Sequence, residues 1–439
     1  MKEDSYKSIA LSLVAFSLPL ILSGVLQQLY SWADAFIVGN TEGSAALAAI
    51  GSTTAIINFF VNAITGFTLG LSILFAQRYG SGNRSDIRKL LSSFLVILGF
   101  VFLVLAVFGF IFTENILRLL DTTLDTFDKA YDYLRIIFIG IPFLAVYNVY
   151  AAALRALGNS RAPFYGVLIS SASNVILDII AVVFLGMSVK GAAIATIISQ
   201  IAMTIFIVIY SNRKYEELRF AKPDFQKAAI MEGVKFGCPP MIQSTVSSAG
   251  GLVLQNFMNG FGTATVAAIT TAYRVDSIIL LPIINLGSGI STFTAQSFGA
   301  RNDERTKRTF FSGLMLMAAV SLLLSLVVIP AGGFLIALFG AGDEAVAIGD
   351  AFFRRIASFY VIFGLATAIR GYIEGIGDVV YSSIAGILSL LCRIVLSYVL
   401  EPYSGNMVIA YAEMLSWILL LLLYLVRAVC KSRQMRRMR

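Results

Sequence analysis

The sequence predicts an all-α integral membrane protein with twelve transmembrane helices arranged as two pseudo-symmetric six-helix bundles. Three observations lead to this prediction: an unusually apolar composition, twelve apolar stretches of sufficient length, and a repeat that relates the two halves of the chain. Of 439 residues, 58% are hydrophobic and only 13% are charged, whereas a soluble protein carries about 25% charged residues. Burying so much apolar surface requires the lipid bilayer as a second solvent.

A helix needs about 20 mainly apolar residues to cross the hydrocarbon core of a bilayer. Proline and glycine inside several of these stretches, such as Pro19, Pro142 and Pro282, predict tilted or kinked helices. The twelve predicted spans lie near residues 12–37, 46–76, 90–112, 131–153, 162–185, 190–210, 229–257, 264–297, 310–338, 351–372, 379–400 and 406–429.

The basic residues are distributed unevenly among the connecting segments. With the N-terminus taken as cytoplasmic, 25 of the 33 Lys and Arg residues fall on the cytoplasmic side, six fall on the outer side, and Arg274 and Arg393 fall inside spans. Such asymmetry indicates that both termini are cytoplasmic, in a multi-pass protein of the plasma membrane. The basic tail from Arg427 to Arg439 is interpreted as a topology anchor beside anionic lipids, and no nucleic-acid partner is expected.

The second half of the chain repeats the first at an offset of 219 positions without gaps. Because each copy contains six spans, both copies enter the membrane from the same side, and their symmetry axis lies along the membrane normal. The matched positions include Ala48 and Ala267, Ala49 and Ala268, Gly70 and Gly289, Gln77 and Gln296, Asn83 and Asn302, and Gly158 and Gly377.

The repeat predicts the domain organisation. We expect an N-terminal six-helix lobe over residues 1–212, a polar cytoplasmic linker over 213–228, and a C-terminal six-helix lobe with a basic tail over 229–439. Two parallel bundles around a central cleft suit alternating access, in which the bundles rock about a site near the midplane. The alternative is that the duplication only reflects how the gene grew.

Several classes of chemistry are excluded by composition. The chain has no histidine, the commonest general base and metal ligand, and its cysteines, Cys238, Cys392 and Cys430, are too far apart in sequence for a CxxC site. No phosphate-binding glycine loop is present, so ATP-driven transport is not expected. We therefore predict no enzyme activity and no cofactor apart from a coupling ion.

A cluster of polar residues falls within spans of the first half. Asp34 lies in the first span and Asp178 in the fifth, with Asn174 four residues before Asp178 and therefore on the same helical face. Asn148 and Thr196 add oxygen atoms at comparable depth. Carboxylate and carbonyl oxygens suit hard cations, and a carboxylate withdrawn from water favours its protonated form. Either Na⁺ or H⁺ could use this cluster.

The cluster is absent from the second copy of the repeat, where Val253 and Ser397 stand at the positions of Asp34 and Asp178. Residues that only stabilise contacts between helices should be kept in both copies of the repeat, so this difference favours a specialised site in the first copy. The alternative is that Asp34 is an exposed helix-end residue and that Asp178 bonds to a neighbouring hydroxyl.

Five further charged residues are secondary candidates: Arg274, Asp276, Glu374, Arg393 and Glu413. Arg393 and Glu413 are predicted to pair across adjacent helices, because a buried arginine is much less costly beside a carboxylate. Arg274 and Asp276 are two residues apart and face different sides of a helix. A substrate role for Asp276 or Glu413 is the alternative interpretation.

Taken together, these motifs resemble the multidrug and toxic compound extrusion (MATE) family, within the superfamily that also contains polysaccharide and lipid-precursor flippases. The resemblance covers nearly the whole chain. It rests on Pro19 fifteen residues before Asp34, on Asp34-Ala-Phe-Ile-Val-Gly39, on Ala-Gln-x-x-Gly at 76–80 and 295–299, on Asn174-x-x-x-Asp178, and on Gly191-Ala-Ala-Ile-Ala-Thr196.

The resemblance implies a secondary antiporter that exchanges H⁺ or Na⁺ for organic, often cationic or amphiphilic, compounds. The expected partners are a small-molecule substrate, a coupling cation and the lipid bilayer, and the chain is expected to be a monomer. An acidic residue that one branch carries early in the seventh span is missing here, where 244–248 reads Ser-Thr-Val-Ser-Ser. A lipid-linked oligosaccharide or lipid-precursor flippase is the alternative, and a non-transporting receptor or scaffold, which would not need the one-sided acidic cluster, is the third interpretation. By resemblance, the coupling site comprises Asp34, Asn148, Asn174, Asp178 and Thr196, Na⁺ would bind at Asp34, Asn174 and Asp178, and Pro19 is the conformational hinge.

Overall fold

A computed structural model describes residues 5–340 and 342–437, with the side chains of 435–437 left aside. Lys2 and Arg439, which belong to the predicted cytoplasmic basic groups, lie outside the described residues. The all-helical fold predicted from the sequence is confirmed. The α-helices are α1 (Tyr6–Glu42), α2 (Ser44–Gly80), α3 (Arg84–Ile111), α4 (Thr113–Leu119), α5 (Leu124–Ala156), α6 (Arg161–Asp178), α7 (Ser188–Lys214), α8 (Lys227–Met258), α9 (Thr263–Ile279), α10 (Leu281–Gly299), α11 (Asp303–Ala337), α12 (Asp343–Ala357), α13 (Tyr360–Gly375), α14 (Val379–Ser404) and α15 (Val408–Arg437).

Within the described part of the chain, nine helical segments are long and apolar enough to cross a membrane, and α12 with α13, bent by 47°, makes a tenth. One of the nine, Val379–Gln434, contains both α14 and α15. Its 56 residues would extend about 84 Å as one helix, far more than the roughly 30 Å of hydrocarbon. Gly405, with φ of 55°, interrupts it, and the Ser389 hydroxyl donates to the Ser416 carbonyl at 2.9 Å. The chain therefore folds back between α14 and α15.

Helix α8 is not among those ten segments, although it occupies the seventh predicted stretch with 32 residues. With α8 included and the α14–α15 hairpin divided, each predicted stretch has a helical counterpart in the described chain. The structure adds the short helix α4, which the sequence did not predict. The break between α9 and α10 lies directly before Pro282, one of the prolines at which a kink was predicted.

Helix caps repeat between the two halves of the chain. The Asn83 side chain accepts a hydrogen bond from the Asp86 backbone at the start of α3, and the Asn302 side chain accepts one from the Arg305 backbone at the start of α11. An asparagine at this position satisfies one of the free N–H groups of a helix N-terminus. The repeat seen in the sequence is thus visible in local structure.

By packing, the chain divides into two compact units. The N-unit is Leu22–Met241, and the C-unit comprises the described residues of Met1–Ile21 and Ile242–Arg439. The predicted domain limits follow the sequence repeat, whereas these packing limits fall inside α1, just after Pro19, and inside α8, just after Pro240.

In the N-unit, a buried apolar cluster ties together the elements around the polar residues. Val38 of α1, Tyr133 and Ile137 of α5, Val182 after α6 and Val189 of α7 all belong to this cluster. This cluster holds α1, α5 and α7 against the end of α6. The part of α1 that contains Asp34 therefore lies beside the end of α6, where Asp178 is located.

The core of the C-unit is larger and includes aromatic side chains from α12 and α13. Phe352, Phe353 and Tyr360 are fully buried, and the inner side of α9, with Ile269 and Ala272, packs into the same cluster. Helix α9 therefore presents one side to this core and leaves its other side open.

Candidate functional site

The site is built on two aspartates of the N-unit. Asp34 extends from α1, and Asp178 is the last residue of α6. Their carboxyl groups lie close enough to interact electrostatically. Asp178 is fully buried, whereas Asp34 is half-buried. The structure therefore brings together the two acids that the sequence singled out, and it leaves one of them partly accessible.

The backbone is irregular at this point. Directly after Asp178, the α-helix changes into a π-helical segment, Ile179–Phe184. π-Helical turns are rare and often occur at functional sites, because the extra residue per turn changes the direction of the neighbouring side chains. Nothing in the sequence signalled this change.

The acids lack hydrogen-bond donors. Asp34 Oδ1, Asn174 Oδ1 and both carboxylate oxygens of Asp178 are buried and have no hydrogen-bond partner among the described residues. No described Lys or Arg forms an ion pair with either aspartate. Buried charges without partners are costly, and two adjacent carboxylates repel each other. A proton or a cation at this position would remove both penalties.

The neighbouring amide and hydroxyl side chains differ in their roles. Asn174 Nδ2 donates to Thr196 Oγ1 at 3.4 Å, and Thr196 Oγ1 donates to the Ala192 carbonyl at 3.0 Å. This chain of bonds holds the Asn174 amide in place and leaves its oxygen free. Asn148 is also buried, but its amide donates to Leu144 of its own helix at 2.9 Å, and no described contact joins it to the aspartates.

Two tyrosines that the sequence interpretation did not include lie near the aspartates. Tyr30 and Tyr133 are close enough to Asp34 to interact electrostatically with its carboxylate. Tyr30 could have been found, because it precedes Asp34 by four residues and so shares its helical face. Tyr133 could not, since only the packing of α5 against α1 brings it there.

The secondary candidates in the C-unit have partners of their own. The ion pair expected between Arg393 and Glu413 is present, with an N–O distance of 2.9 Å, and the Tyr273 hydroxyl donates to Glu413 at 3.1 Å. Asp276 accepts a hydrogen bond from the Tyr360 hydroxyl inside the core.

Glu374 is likewise compensated. It accepts hydrogen bonds from Arg370 Nε at 2.6 Å and from the Ser382 hydroxyl at 2.9 Å. Of the five secondary candidates, only Arg274 lies exposed, on the open side of α9. Pro19 lies inside α1, which remains helical on both sides of it.

Comparison with known proteins identifies the family. The MatE family model matches residues 19–180 and 239–399. The chain belongs to the MatE family. The two matched segments correspond to the two halves of the repeat and together cover most of the chain, so the MATE resemblance drawn from the motifs is confirmed.

Similar sequences carry related descriptions. The chain is 28% identical over 415 residues to a probable multidrug resistance protein, YoeA, of Bacillus subtilis, covering 92% of this chain and 89% of that protein. It is 27% identical over 387 residues to the multidrug export protein MepA of Staphylococcus haemolyticus, covering 84% of this chain and 82% of that protein.

Solved structures show the same fold. An outward-facing multidrug resistance MATE transporter superposes with a TM-score of 0.91 at 18% identity, covering 98% of this chain and 97% of the other. A MATE protein in a bent conformation gives a TM-score of 0.91 at 19% identity, with coverages of 97% and 96%. With the family match over most of its length, the chain is a multi-pass membrane transporter of the MATE family and not an enzyme.

Proposed function

We propose that this transporter is a secondary active antiporter that exports organic, cationic or amphiphilic compounds in exchange for H⁺ or Na⁺. Its two lobes rock between inward-open and outward-open states in the plasma membrane, with both termini in the cytoplasm. The multidrug resistance and export proteins that it resembles support this class of substrate. The positive-inside distribution of Lys and Arg supports the orientation.

One observation carries the proposal: the group of buried oxygens without donors at Asp34, Asn174 and Asp178. Their chemistry fits a coupling ion in either form. A proton would bridge the two carboxyl groups, or Na⁺ would take its ligands from all three side chains. Thr196 fixes Asn174 through its hydroxyl.

The unequal burial of the two aspartates gives the ion a direction of entry. The half-buried Asp34 meets the ion first, and the fully buried Asp178 holds it. One of the two packing limits of the N-unit falls inside α1, just after Pro19, and proline removes a helical hydrogen bond at that point. Pro19 is therefore the hinge through which occupancy of the site changes the course of α1.

One coupling ion supplies enough energy for export. A charge that crosses the membrane gains about 2.3 kcal/mol per 100 mV, and a tenfold concentration ratio requires about 1.4 kcal/mol. For a substrate without net charge, a single ion at ordinary membrane potentials therefore supports a gradient of roughly tenfold to a hundredfold. For a monovalent cationic substrate the two charge movements cancel, and the concentration gradient of the coupling ion drives export.

A lipid-linked precursor flippase is the second candidate, because the same superfamily contains such proteins. The exposed Arg274 on the open side of α9 is the observation that favours it. A flippase cavity should, however, carry several inward-facing arginines, and Arg393 is already paired with Glu413. Export coupled to the aspartate pair is therefore the stronger interpretation.

Efflux from proteoliposomes under imposed pH and Na⁺ gradients tests the proposal. We expect Asp34→Asn and Asp178→Asn each to lower ion-driven efflux of a cationic dye by at least about tenfold, equivalent to 1.4 kcal/mol of lost coupling. Asp132→Asn is the matched control. It removes a carboxylate from α5 of the same unit, but that carboxylate is partly exposed and paired with Lys190 at 3.1 Å. Its efflux should stay at the wild-type rate.

Ion binding can be read separately at Trp32, which lies two residues before Asp34 and is one of only two tryptophans. In a Trp417→Phe background, lowering the pH or adding Na⁺ should change Trp32 fluorescence, and Asp178→Asn should abolish that change. Ion-driven efflux that persists in both aspartate variants would refute the site.

A further inference from the structure

The open side of α9 carries a row of polar residues. Helix α9 buries one side in the core of the C-unit, through residues that include Ala268, Ile269 and Ala272. The opposite side, with residues at spacings of three, four, seven, eight and eleven, borders a concavity of about 550 Å³. We name it the α9 polar face, and it consists of Thr263, Val266, Ala267, Thr270, Thr271 and Arg274.

This face is suited to water and not to lipid. A charged side chain exposed to hydrocarbon costs at least about 2.5–3.5 kcal/mol, and three threonines beside it would add further unsatisfied hydroxyls. The exposed side of α11 shows what a lipid-facing surface looks like in the same unit: Leu323, Leu326 and Val327 are all more than half exposed. The α9 polar face must therefore line an aqueous space.

Arg274 is the unusual member of this face. It is exposed, and its guanidinium has no acidic partner among the residues that the structure describes. The arginines at 370 and 393 in the same unit are both paired with glutamates. Asp276 cannot serve, because it lies on the buried side of α9 and bonds to Tyr360. Arg274 also lies eleven residues, or about 16 Å, from the start of α9. Its side chain is too short to reach back to that end of the helix.

A second unpartnered group lies one turn away. Thr270 Oγ1 is buried and has no hydrogen-bond partner in the described part of the chain. Residues four apart share a helical face, and both Thr270 and Arg274 line the same concavity. The repeat does not require either group, since Gly51 and Ala55 stand at the corresponding positions of the first half.

We propose that the α9 polar face is a binding subsite for an oxyanion, a carboxylate or phosphate, carried by the transported compound. Arg274 binds the oxyanion through its planar, bidentate donors, and the Thr270 and Thr271 hydroxyls donate to its remaining lone pairs. This inference rests on the proposed transport function and narrows its substrates to compounds that bear an oxyanion as well as an apolar body. It extends the substrate range beyond simple organic cations.

A pair of dyes that differ only at the carboxylate tests the subsite. Rhodamine 110 has a free carboxylate, and rhodamine 123 is its methyl ester. Fluorescence polarisation with detergent-purified protein gives the affinity for each dye. We expect Arg274→Ala to weaken rhodamine 110 binding by about tenfold or more, as loss of a charge-assisted hydrogen bond requires, and to leave rhodamine 123 binding within about twofold.

Three variants make the result specific. Arg274→Lys keeps the charge but loses the bidentate geometry, so its effect should be intermediate. Thr270→Val should also weaken rhodamine 110 selectively, which guards against a folding defect in a single variant. Arg354→Ala is the control, because it removes an exposed arginine of the same unit that is already paired with Asp350 at 2.7 Å.

Competition distinguishes the source of the oxyanion. If short-chain phosphatidylglycerol displaces rhodamine 110 in an Arg274-dependent way, the subsite accepts a lipid phosphate. If it does not displace the dye, the oxyanion belongs to a soluble carboxylate compound. Both results support the subsite. Equal loss of both dyes in Arg274→Ala, or no loss of either, would overturn it.

Failure of the transport proposal remains separable from failure of this inference. The dye measurement is made at equilibrium without an ion gradient. Ion-driven efflux that persists in the aspartate variants would refute the coupling site and leave the difference between the two dyes intact, whereas equal binding changes for both dyes in Arg274→Ala would refute only the subsite.

Discussion

The two units treat buried acids in opposite ways. In the N-unit, Asp34 and Asp178 are close enough to interact electrostatically, and three of their carboxylate oxygens have no donor among the described residues. In the C-unit, Glu413 has both an arginine and a tyrosine within hydrogen-bonding distance. Asp276 has the Tyr360 hydroxyl.

This difference shows that burial alone does not mark a functional acid. Asp178, Asp276, Glu374 and Glu413 are all buried, yet among the described residues only Asp178 lacks the hydrogen-bond donors that a folded protein normally provides. In the C-unit, side chains of the protein already stabilise the buried acids. In the N-unit, a bound proton or cation would stabilise the aspartate pair. Substitutions that remove a charged residue from each unit test this comparison.

The largest expected effect is on stability in the C-unit. Arg393→Met leaves Glu413 buried with only a tyrosine, and breaking a buried ion pair in this way costs about 3–5 kcal/mol. Asp178→Asn should cost little or stabilise the protein, because it removes a repulsion and breaks no ion pair. The stability of Arg393→Met is measured by unfolding in mixed micelles, followed by Trp417 fluorescence in a Trp32→Phe background, since Trp417 lies in the C-unit core. The stability of Asp178→Asn is measured in the same way by Trp32 fluorescence in a Trp417→Phe background.

The double variant Arg393→Met with Glu413→Leu is the control for that experiment. Replacing both partners by apolar residues avoids an orphaned charge, so most of the lost stability should return. If Asp178→Asn destabilised the protein as much as Arg393→Met does, the aspartate pair would be structural, and the contrast between the units would be wrong.

A smaller effect is expected at two glycines that the repeat relates. A Cβ on Gly70 would lie 1.9 Å from the backbone oxygen of Phe236 in the N-unit, whereas one on Gly289 would approach the Ser17 hydroxyl at 3.0 Å in the C-unit. Backbone cannot move aside as a side chain can. Gly70→Ala should therefore cost about 1–3 kcal/mol by overpacking, and Gly289→Ala should cost less.

Thermal unfolding of the two glycine variants in detergent, side by side, provides the measurement. Gly99→Ala is the control, because a Cβ at Gly99 meets nothing within 4 Å. Equal destabilisation at 70 and 289 would show that the two units pack their equivalent helices with the same tolerance.

The sequence predicted the helices and the acid pair, but not the reason that the pair is special. Hydropathy located the spans because lipid imposes a length on each apolar run. The four-residue spacing placed Asn174 and Asp178 on one face. The neighbourhood of Asp34 could not be predicted, because Tyr133 reaches it through packing between helices distant in sequence, and the π-helical segment at 179–184 has no sequence signal.

Arg274 shows that the sequence also cannot predict which charged residues lack a partner. The sequence placed it inside a span and on a different side of the helix from Asp276. Only the structure shows that its side is open and polar, whereas Arg393, which the sequence also placed inside a span, is paired with Glu413. The availability of a partner depends on tertiary packing, and the order of residues in the chain does not reveal it.

The smallest expected effect concerns the repeated helix caps. Asn302 accepts from the Arg305 backbone at 2.9 Å, whereas Asn83 accepts from the Asp86 backbone at 3.4 Å and shares its oxygen with the Ser85 hydroxyl at 3.2 Å. Asn302→Ala should cost about 1 kcal/mol, and Asn83→Ala should cost less, because the longer bond contributes less to the cap. Chemical unfolding of both variants measures the difference, with Asp as a capping replacement that should restore most of the stability at 302. A larger loss at 83 would mean that its bond to the Asp86 carboxylate, at 2.6 Å, stabilises the start of α3 more than the cap itself does.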